Sequence, residues 1–457
     1  MLENADYKNK TVLVLGMGKS GYSAARVLLS LGCQVFLNES KDLTQDKNAQ
    51  ELQAKGVLIH SGELALDWFD HYDFDVVVKS PGISYENQMV KKALEQNISI
   101  VTEPEIGFSI CRAKVIGITG SNGKTTTTTL VTDMLNNGLQ KGKAYAVGNI
   151  GVPVCDVVQN VTEEDVLVTE LSSFQLMGMP SIKPDIAAII DIYPTHLDYH
   201  KTFDNYVNAK LSITSNQSAE QFLLVNEDQP DIFKIEEDNS QASLIPISLE
   251  GKSESAISIK SGFLYYQNEP VIKIDEIKLP GQHNLQNISF AVAIVKLMGI
   301  GNEAIQKTLT SFTGVKHRLQ YVDEIDGRKV YNDSKATNIE AALVAINSFA
   351  KPEVLIAGGL DRGFEFDELV PALKEHVNKI VLYGETKALM AKAAKQAGIT
   401  DISVVDTLEQ AVPLAFSKSV PGEVILFSPA AASWDQFKSF EERGDCFIKY
   451  VKSLVVN

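Results

Sequence analysis

The chain has 457 residues, of which 44% are hydrophobic and 22% charged, a composition typical of globular proteins. This length predicts about three domains. With 42 Lys and Arg against 58 Asp and Glu, the net charge is −16 at pH 7, which disfavours binding to nucleic acid or anionic lipid. Four cysteines without C-x-x-C spacing argue against a zinc site or a disulfide framework and favour a reducing compartment.

The N-terminal segment does not resemble a signal peptide, and the apolar runs are much shorter than the ~18 residues of a membrane span. We therefore expect a cytoplasmic protein that has no membrane partner.

Short apolar strands alternate with longer helical segments along most of the chain, a pattern typical of βαβ units in parallel sheets. In chain order, the predicted strands cover 11–15, 34–37, 74–78, 114–119, 354–357, 380–383 and 424–427. Helices are predicted over 23–31 and 127–135, and the third block of elements begins near Val330. The segment 228–278 has short alternating runs and predicts an antiparallel excursion from the middle domain.

The pattern predicts an α/β protein with three domains. These are a Rossmann-like domain over 1–110, a central P-loop ATPase-type domain with a parallel or mixed sheet over 111–312, and a C-terminal Rossmann-like domain over 313–457.

The strongest local signal lies between the strand 114–119 and the following helix. Glycines allow backbone N–H groups to surround phosphate oxygens, and a helix N-terminus adds partial positive charge. Lys124 would reach the β- and γ-phosphates, and the Thr125 hydroxyl would bind Mg²⁺. The alternative is a glycine turn before a surface helix, since Ile118 replaces the first glycine of a full Walker A motif. The predicted loop residues are Gly120, Ser121, Asn122, Gly123, Lys124, Thr125 and Thr126.

An earlier glycine turn, Gly16-Met-Gly18-Lys-Ser-Gly21, also follows a strand and precedes a helix. It would suit a nicotinamide dinucleotide, another nucleoside diphosphate, or simply close packing of strand and helix. Asn38 stands where nicotinamide enzymes usually have Asp, which weakens the first alternative.

Four polar residues of the middle region are candidates for chemistry. Glu170 ends a strand beside the phosphate loop, where it could hold Mg²⁺ or be merely solvated. His196 could bind a metal, orient a carboxylate or be a solvated loop residue. By pattern alone Lys210 is a surface lysine, and Asn149 could bind a ligand or cap a segment.

Together these motifs resemble the Mur ligase family. The resemblance covers residues 11–447 and rests on Thr119–Thr126, Gly148–Gly151, Glu170–Leu176, His196–Asp198, Lys210, Gly281–Asn287, His317–Arg318, Asn332–Thr337 and Ser428–Ser433. The form Glu170-Leu-Ser-Ser-Phe-Gln-Leu176 resembles the member that adds D-glutamate. Its implied reaction joins D-glutamate to UDP-N-acetylmuramoyl-L-alanine through an acyl phosphate, with ATP and Mg²⁺, for peptidoglycan precursor synthesis. The alternatives are another amino-acid ligase of the family and a folylpolyglutamate-synthase-like ligase; the resemblance also implies a monomer.

The resemblance implies roles residue by residue. The catalytic residues would be Lys124, Glu170, His196, Lys210 and Lys335. The metal would be held by Thr125, Glu170, His196 and a carbamylated Lys210. The nucleotide would also contact Asn284, Asn287, Arg318 and Asp333. The UDP-linked substrate would contact Lys19, Ser20, Glu39 and Ser40 at its uridine diphosphate, Ser80 and Gly82 at its sugar end, and also Asn149. D-glutamate would contact Thr337, Arg362, Ser433 and Phe440.

Overall fold

A computed structural model describes residues 7–252, 255–349 and 352–454. The chain divides into two compact units, one formed by Met1–Ile274 with Gln286–Thr308 and the other by Asp275–Leu285 with Leu309–Asn457. The α/β class predicted from the sequence is confirmed, since parallel strands alternate with helices in both units. No helix in the described part of the chain is long and apolar enough to cross a membrane.

The first unit begins with a parallel sheet in the order β3-β2-β1-β4-β5. Its strands are β1 (Thr11–Leu15), β2 (Gln34–Glu39), β3 (Leu58–Ser61), β4 (Val76–Lys79) and β5 (Ser99–Val101). Its helices are α1 (Lys19–Ser30), α2 (Lys47–Ala54), α3 (Trp68–His71), α4 (Gln88–Glu95) and α5 (Glu103–Ser109). Helix α1 begins four residues before its predicted start, because Lys19 directly follows the glycine turn.

The same unit contains a second parallel sheet, in the order β11-β10-β9-β6-β8-β7. Its strands are β6 (Lys114–Thr119), β7 (Ala144–Gly148), β8 (Val166–Glu170), β9 (Ile186–Ile189), β10 (Phe222–Asn226) and β11 (Ser243–Ile247). The helices are α6 (Lys124–Gly138), α7 (Val154–Val157), α8 (Ser173–Leu176), α9 (Leu197–His200), α10 (Phe203–Leu211) and α11 (Pro230–Asn239). The five residues of β8 are all buried, as expected of an inner strand covered on both faces.

The segment 228–278 is only partly antiparallel, so that prediction is wrong for its first half. Helix α11 and strand β11 complete a further parallel βαβ unit, because Phe222–Asn226 pairs in parallel with Ser243–Ile247. The antiparallel part is the three-stranded sheet of β12 (Ile257–Lys260), β13 (Phe263–Tyr266) and β14 (Glu269–Lys273). Helices α12 (Gln282–Leu297) and α13 (Asn302–Ser311) follow.

The second unit has a mixed sheet in the order β15-β16-β20-β17-β18-β19. Its strands are β15 (Gln320–Ile325), β16 (Arg328–Asn332), β17 (Glu353–Gly359), β18 (Val377–Gly384), β19 (Asp401–Val404) and β20 (Val424–Phe427). Its helices are α14 (Ile339–Ile346), α15 (Val370–His376), α16 (Lys387–Gln396), α17 (Leu408–Lys418) and α18 (Phe440–Ser453). The edge strand β15 is antiparallel to β16, which places the first strand ten residues before Val330.

Candidate active site

The predicted phosphate loop joins β6 to α6 in the centre of the second sheet. Gly123 adopts φ 75° and precedes the first residue of the helix, so the helix N-terminus opens at Lys124. Lys124 Nζ donates to the carbonyl oxygens of Gly120 (2.8 Å) and Ser121 (2.9 Å). The loop therefore already gathers a cation and a helix N-terminus at one point, which are the two features that attract phosphate.

Gly123 is required for two separate reasons. Its positive φ is a conformation that residues with a Cβ rarely adopt. In addition, a Cβ at this position would overlap the side-chain oxygen of Asn287, which lies on α12. Asn287 is buried, and its backbone carbonyl accepts a hydrogen bond from Thr127 Oγ1 at 3.5 Å. The residue predicted to approach the adenosine thus lies against the loop predicted to hold the phosphates.

Glu170 ends β8, next to β6, and is only 2% exposed, so it is not a solvated strand end. One carboxylate oxygen accepts a hydrogen bond from Asn149 Nδ2 at 2.7 Å. The other, Oε2, is buried and has no hydrogen-bond partner. Asn149 also donates its backbone N–H to the Glu170 carbonyl at 2.9 Å, so its observed contacts orient the carboxylate.

Lys210 is 1% exposed, so the surface position suggested by its pattern is wrong. It lies on α10, and its Nζ donates to the Gly120 carbonyl at 2.7 Å. Burial, and secondly the nearby Lys124 ammonium, hold the pKa of Lys210 well below its usual range. Helical periodicity could not reveal this burial, because the loop that covers Lys210 comes from a strand ninety residues earlier in the chain.

His196 is held in the left-handed region at φ 55° and precedes α9. Partial burial lowers its pKa, which favours a neutral imidazole at neutral pH. Its ring lies 5.1 Å from that of Phe174, in an edge-on arrangement. The Phe174 ring also stacks on His200 at 5.3 Å, and His200 Nε2 is 3.0 Å from Ser173 Oγ. His200 and Phe174 therefore form an aromatic cluster with His196. Sequence reasoning assigned no role to either His200 or Phe174.

Asp191, also not predicted, follows β9 and contacts the phosphate loop. Its carboxylate accepts the backbone N–H of Asn122 at 2.7 Å and the Asn122 side-chain amide at 3.3 Å. Its carbonyl accepts the Ser121 N–H at 2.9 Å. The signal for Asp191 was its position at the carboxyl end of a buried strand beside β6, the same signal that identified Glu170.

The Ser121 hydroxyl is engaged within the protein. It donates to the Tyr193 carbonyl at 3.1 Å and accepts the Tyr193 N–H at 2.8 Å. It also lies 2.9 Å from the Tyr206 hydroxyl on α10. These contacts join the phosphate loop to the segment that leads to His196.

The first glycine turn lies at the carboxyl edge of the first sheet, between β1 and α1. A Cβ at Gly21 would overlap the Gly16 carbonyl, so the motif provides close packing of helix against strand. Glu39 accepts the Met17 N–H at 2.8 Å and the Lys41 N–H at 3.1 Å, and these bonds lower its pKa although its burial opposes them. Asn38 donates to the carbonyls of His60 and Glu63.

The other residues predicted for the uridine diphosphate and for the sugar end lie around this turn. A Cβ at Gly16 would lie 2.5 Å from Ser80 Oγ, so the turn after β4 packs against the turn after β1. Ser40 donates to Glu39 at 3.0 Å. Lys19 and Ser20 are the first two residues of α1, and Gly82 is in the turn that follows Ser80.

In the second unit, several predicted residues, among them Asp333, Ser433 and Arg362, follow the adjacent parallel strands β16, β20 and β17. Asp333 accepts hydrogen bonds from Ser428 Oγ at 2.9 Å and from the Leu319 N–H at 3.1 Å. Burial nevertheless raises the pKa of Asp333 to about 7. Arg318 lies within electrostatic reach of Asp333, and its Nε is buried without a hydrogen-bond partner.

Arg443, which was not predicted, joins two of these loops. Its guanidinium is fully buried and donates to Ser334 Oγ (3.1 Å), the Ser334 carbonyl (2.8 Å) and the Ala431 carbonyl (3.0 Å). Ser334 Oγ in turn donates to the Phe440 carbonyl at 2.8 Å. Arg443 therefore fixes the loop after β16 to the loop after β20.

The residues predicted for D-glutamate lie on these loops or next to them. Lys335 Nζ is 5.5 Å from the centre of the Phe440 ring, and the Thr337 N–H donates to the Lys335 carbonyl at 2.9 Å. Ser433 is buried in the loop after β20. Arg362 follows β17 and contacts the ring of Phe364 at 5.6 Å. Asn284, also in this unit, is buried and donates to the Pro280 carbonyl at 2.6 Å.

A phosphate loop, a buried carboxylate with a vacant lone pair and a buried amine define a nucleotide-dependent enzyme of the P-loop type. Three family models match the chain: the Mur ligase MurD-like N-terminal domain over residues 10–102, the Mur ligase middle domain over 118–295, and the Mur ligase glutamate ligase domain over 317–431. The chain belongs to the Mur ligase family.

Curated relatives match over almost the entire chain. The UDP-N-acetylmuramoylalanine–D-glutamate ligase of Lactobacillus helveticus is 56% identical over 451 residues, 98% of each chain. The enzyme of the same name from Lactobacillus acidophilus is 55% identical with the same coverage.

Solved structures with the same fold include the UDP-N-acetylmuramate-alanine ligase MurC of Thermotoga maritima, with TM-score 0.57, 17% identity and 97% and 100% of the two chains covered. The MurF ligase of Thermotoga maritima in complex with ADP has TM-score 0.57 and 18% identity, with 99% and 98% covered.

Proposed function

We propose that this protein is an ATP-dependent ligase that joins D-glutamate to UDP-N-acetylmuramoyl-L-alanine and releases ADP and phosphate. The single observation that carries the proposal is the convergence of Lys124 and Lys210 on the Gly120 carbonyl beside Glu170, in a chain 56% identical to a ligase named for this reaction. The substrates are small molecules, and the product would be used in peptidoglycan precursor synthesis.

The residues present suit a magnesium ion. Mg²⁺ binds through one or two carboxylates together with phosphate oxygens and water. Glu170 offers one buried oxygen without a partner, and no group of three or more His, Cys, Asp or Glu side chains suited to a metal occurs in the described ranges. We therefore assign Mg²⁺ to Glu170, the Thr125 hydroxyl and the substrate phosphates, where it would neutralise charge on the transferring group. Imidazole is a poor magnesium ligand, so we assign His196 to the substrate instead.

Lys210 would complete the metal site after carbamylation. Only an unprotonated amine can attack carbon dioxide, and the lowered pKa of this buried lysine favours the unprotonated form. The carbamate would replace this neutral amine with an anionic oxygen ligand near Glu170.

The reaction needs the substrate carboxylate to receive the γ-phosphoryl group, so that it gains a good leaving group. Both reactants are anions, and Lys124 with the N–H groups at the start of α6 would reduce their repulsion. The D-glutamate amine then attacks the acyl phosphate, and phosphate leaves. His196 is a candidate to accept the amine proton, since its lowered pKa keeps it unprotonated at neutral pH.

The remaining predicted residues are proposed in the roles given above. We propose that residues 1–110 bind the UDP end, 111–312 hold ATP, and 313–457 supply the D-glutamate contacts. Asn284, Asn287, Arg318 and Asp333 would contact the nucleotide, with Lys335 near the phosphates. The carboxyl edges of the sheets support these roles, because ligands bind there in open α/β sheets.

The proposal is tested by phosphate release with ATP, UDP-N-acetylmuramoyl-L-alanine and each of a panel of D- and L-amino acids. We expect turnover with D-glutamate only. Turnover with a different amino acid would identify another ligase of the family, and ATP binding without turnover would contradict a ligase function. Light scattering of the same sample tests whether the enzyme is a monomer.

A further inference from the structure

Lys79, the last residue of β4, has a buried ammonium group that the reaction described above does not use. The residue is 0% exposed, and none of the ion pairs among the described residues includes it. A buried charge without a counterion costs free energy, and an apolar residue of similar size would avoid that cost. Its presence therefore calls for a reason other than packing.

The three N–H donors of the Lys79 ammonium have three oxygen partners. They are the carbonyls of Pro81 (3.1 Å) and Ile83 (3.0 Å) and the hydroxyl of Tyr199 (3.4 Å). Tyr199 in turn donates its hydroxyl to the Ile83 carbonyl at 3.2 Å. Burial lowers the pKa of Lys79 to about 8, so the ammonium form prevails at neutral pH.

These contacts join two parts of the first unit that have different proposed roles. Pro81 and Ile83 belong to the turn that carries Ser80 and Gly82, which we assign to the sugar end of the substrate. Tyr199 belongs to α9, whose first turn is preceded by His196, and the Tyr199 N–H donates to the His196 carbonyl at 3.2 Å. Lys79 and Tyr199 therefore connect the sugar-binding turn directly to the reacting centre.

On the Tyr199 side this connection borders open space, whereas Lys79 itself is fully buried. A cavity of about 440 Å³ borders it, lined among others by Tyr85, Met177, Tyr199 and Asn205. On that side the first and second sheets are joined by polar contacts, including a hydrogen bond of 3.3 Å from Tyr85 to the Met177 carbonyl. Elsewhere the two parts share apolar packing, including Ile106 and Cys155 in one core cluster, so these polar bonds fix the alignment locally, at this place.

We propose that Lys79 and Tyr199 are positioning residues that set the distance between the sugar-binding turn and His196, and so place the substrate carboxylate for phosphorylation. This inference rests on the proposed function and deepens it. A misplaced carboxylate costs rate because the reacting atoms must approach to within bonding range. We expect binding of the UDP portion alone not to require the alignment, because the residues assigned to it, Lys19, Ser20, Glu39 and Ser40, lie at the first sheet and its helix α1.

The test compares wild type with Lys79→Met and Tyr199→Phe. The control is Lys114→Met, because Lys114 is an exposed lysine at the first position of β6, whereas Lys79 is at the last position of β4. Calorimetry measures the affinity for UDP and for UDP-N-acetylmuramoyl-L-alanine separately. We expect both variants to bind UDP as the wild type does and to bind the full substrate about tenfold more weakly. Their kcat/KM for the full substrate should fall about 10- to 100-fold. KM for ATP and KM for D-glutamate should be unchanged. The double variant should lose little more than either single variant.

Unchanged affinity and kcat/KM for the full substrate in both variants would overturn the inference, as would an equal loss for UDP and full substrate. Tyr199→Phe removes one oxygen and keeps the ring, so it decides the question if Lys79→Met does not fold. If the wild type binds and turns over the substrate and the variants behave in the same way, only the positioning role is contradicted. A wild type that binds neither ligand defeats the proposed function and this inference with it.

Discussion

Lys210 Nζ and the Gly120 carbonyl oxygen lie 2.7 Å apart, so helix α10 is hydrogen-bonded directly to the turn after β6. Lys124 donates to the same carbonyl at 2.8 Å. Two amines on one oxygen would repel each other if both were charged, and the lowered pKa of Lys210 removes that conflict. The arrangement gives the two lysines different chemistry, with Lys124 as the cation and Lys210 as the neutral amine.

Lys124→Ala should reduce turnover at least about 100-fold, because it removes the cation at the transferring phosphoryl group. The side chain donates to two carbonyls of its own loop, and its loss should leave the fold in place. Phosphate release measures the rate and circular dichroism the fold, with Lys114→Ala as the control. A folded Lys124→Ala enzyme with near-normal rate and saturable ATP dependence would be incompatible with the proposed role.

Carbamylation of Lys210 should appear as a carbamate resonance in the ¹³C NMR spectrum of protein equilibrated with ¹³C-bicarbonate. The buried, unprotonated amine is the reactive form, so the signal should persist at neutral pH. Lys210→Arg cannot form this carbamate, and its spectrum should lack the resonance. If the wild-type and Lys210→Arg spectra are the same, Lys210 is not modified.

Gly123→Ala should destabilise the protein and abolish ATP binding. A residue with a Cβ in the left-handed conformation lowers the free energy of unfolding by about 1–2 kcal/mol. The new methyl group also collides with Asn287. Gly299→Ala is a matched control, because Gly299 has a similar φ of 78° with no atom within 4 Å of its Cβ position. Urea unfolding and nucleotide titration compare the two. Equal effects would show that the contact with Asn287 is unimportant.

Glu353 should make the protein less stable as pH rises. Burial raises its pKa to about 9, and both carboxylate oxygens lack hydrogen-bond partners. The native state therefore holds a proton that the unfolded state releases near the ordinary carboxyl pKa of 4.5. The stability that comes from this proton is fully present below pH 4.5 and is lost progressively as the pH rises to about 9.

The stability of Glu353→Gln relative to wild type should thus increase by roughly 3–4 kcal/mol between pH 5 and pH 8. Urea unfolding at both pH values measures the change. The exposed Glu368→Gln serves as the control and should show no such trend. A constant difference between Glu353→Gln and wild type would mean that Glu353 is ionised in the native protein.

Local sequence was sufficient wherever function depends on the order of residues along one segment. The glycines before Lys124 predicted the turn between strand and helix, and α1 ends at Ser30, one residue before its predicted end. Local sequence did not predict the environment of a residue whose contacts come from a distant part of the chain. Lys210 looked like a surface residue and is buried, and Lys79 and Arg443 had no sequence motif of their own.

The sequence by itself determined the α/β class, the location of the phosphate loop and the family, because these follow from hydrophobic periodicity and from short motifs whose spacing is local. Only the tertiary structure decided which amine loses its charge, which carboxylate oxygen is left without a partner, and which buried lysine joins the turn after β4 to His196. Those properties depend on desolvation and on distances between segments up to 120 residues apart, and neither quantity is encoded in any single stretch of the chain.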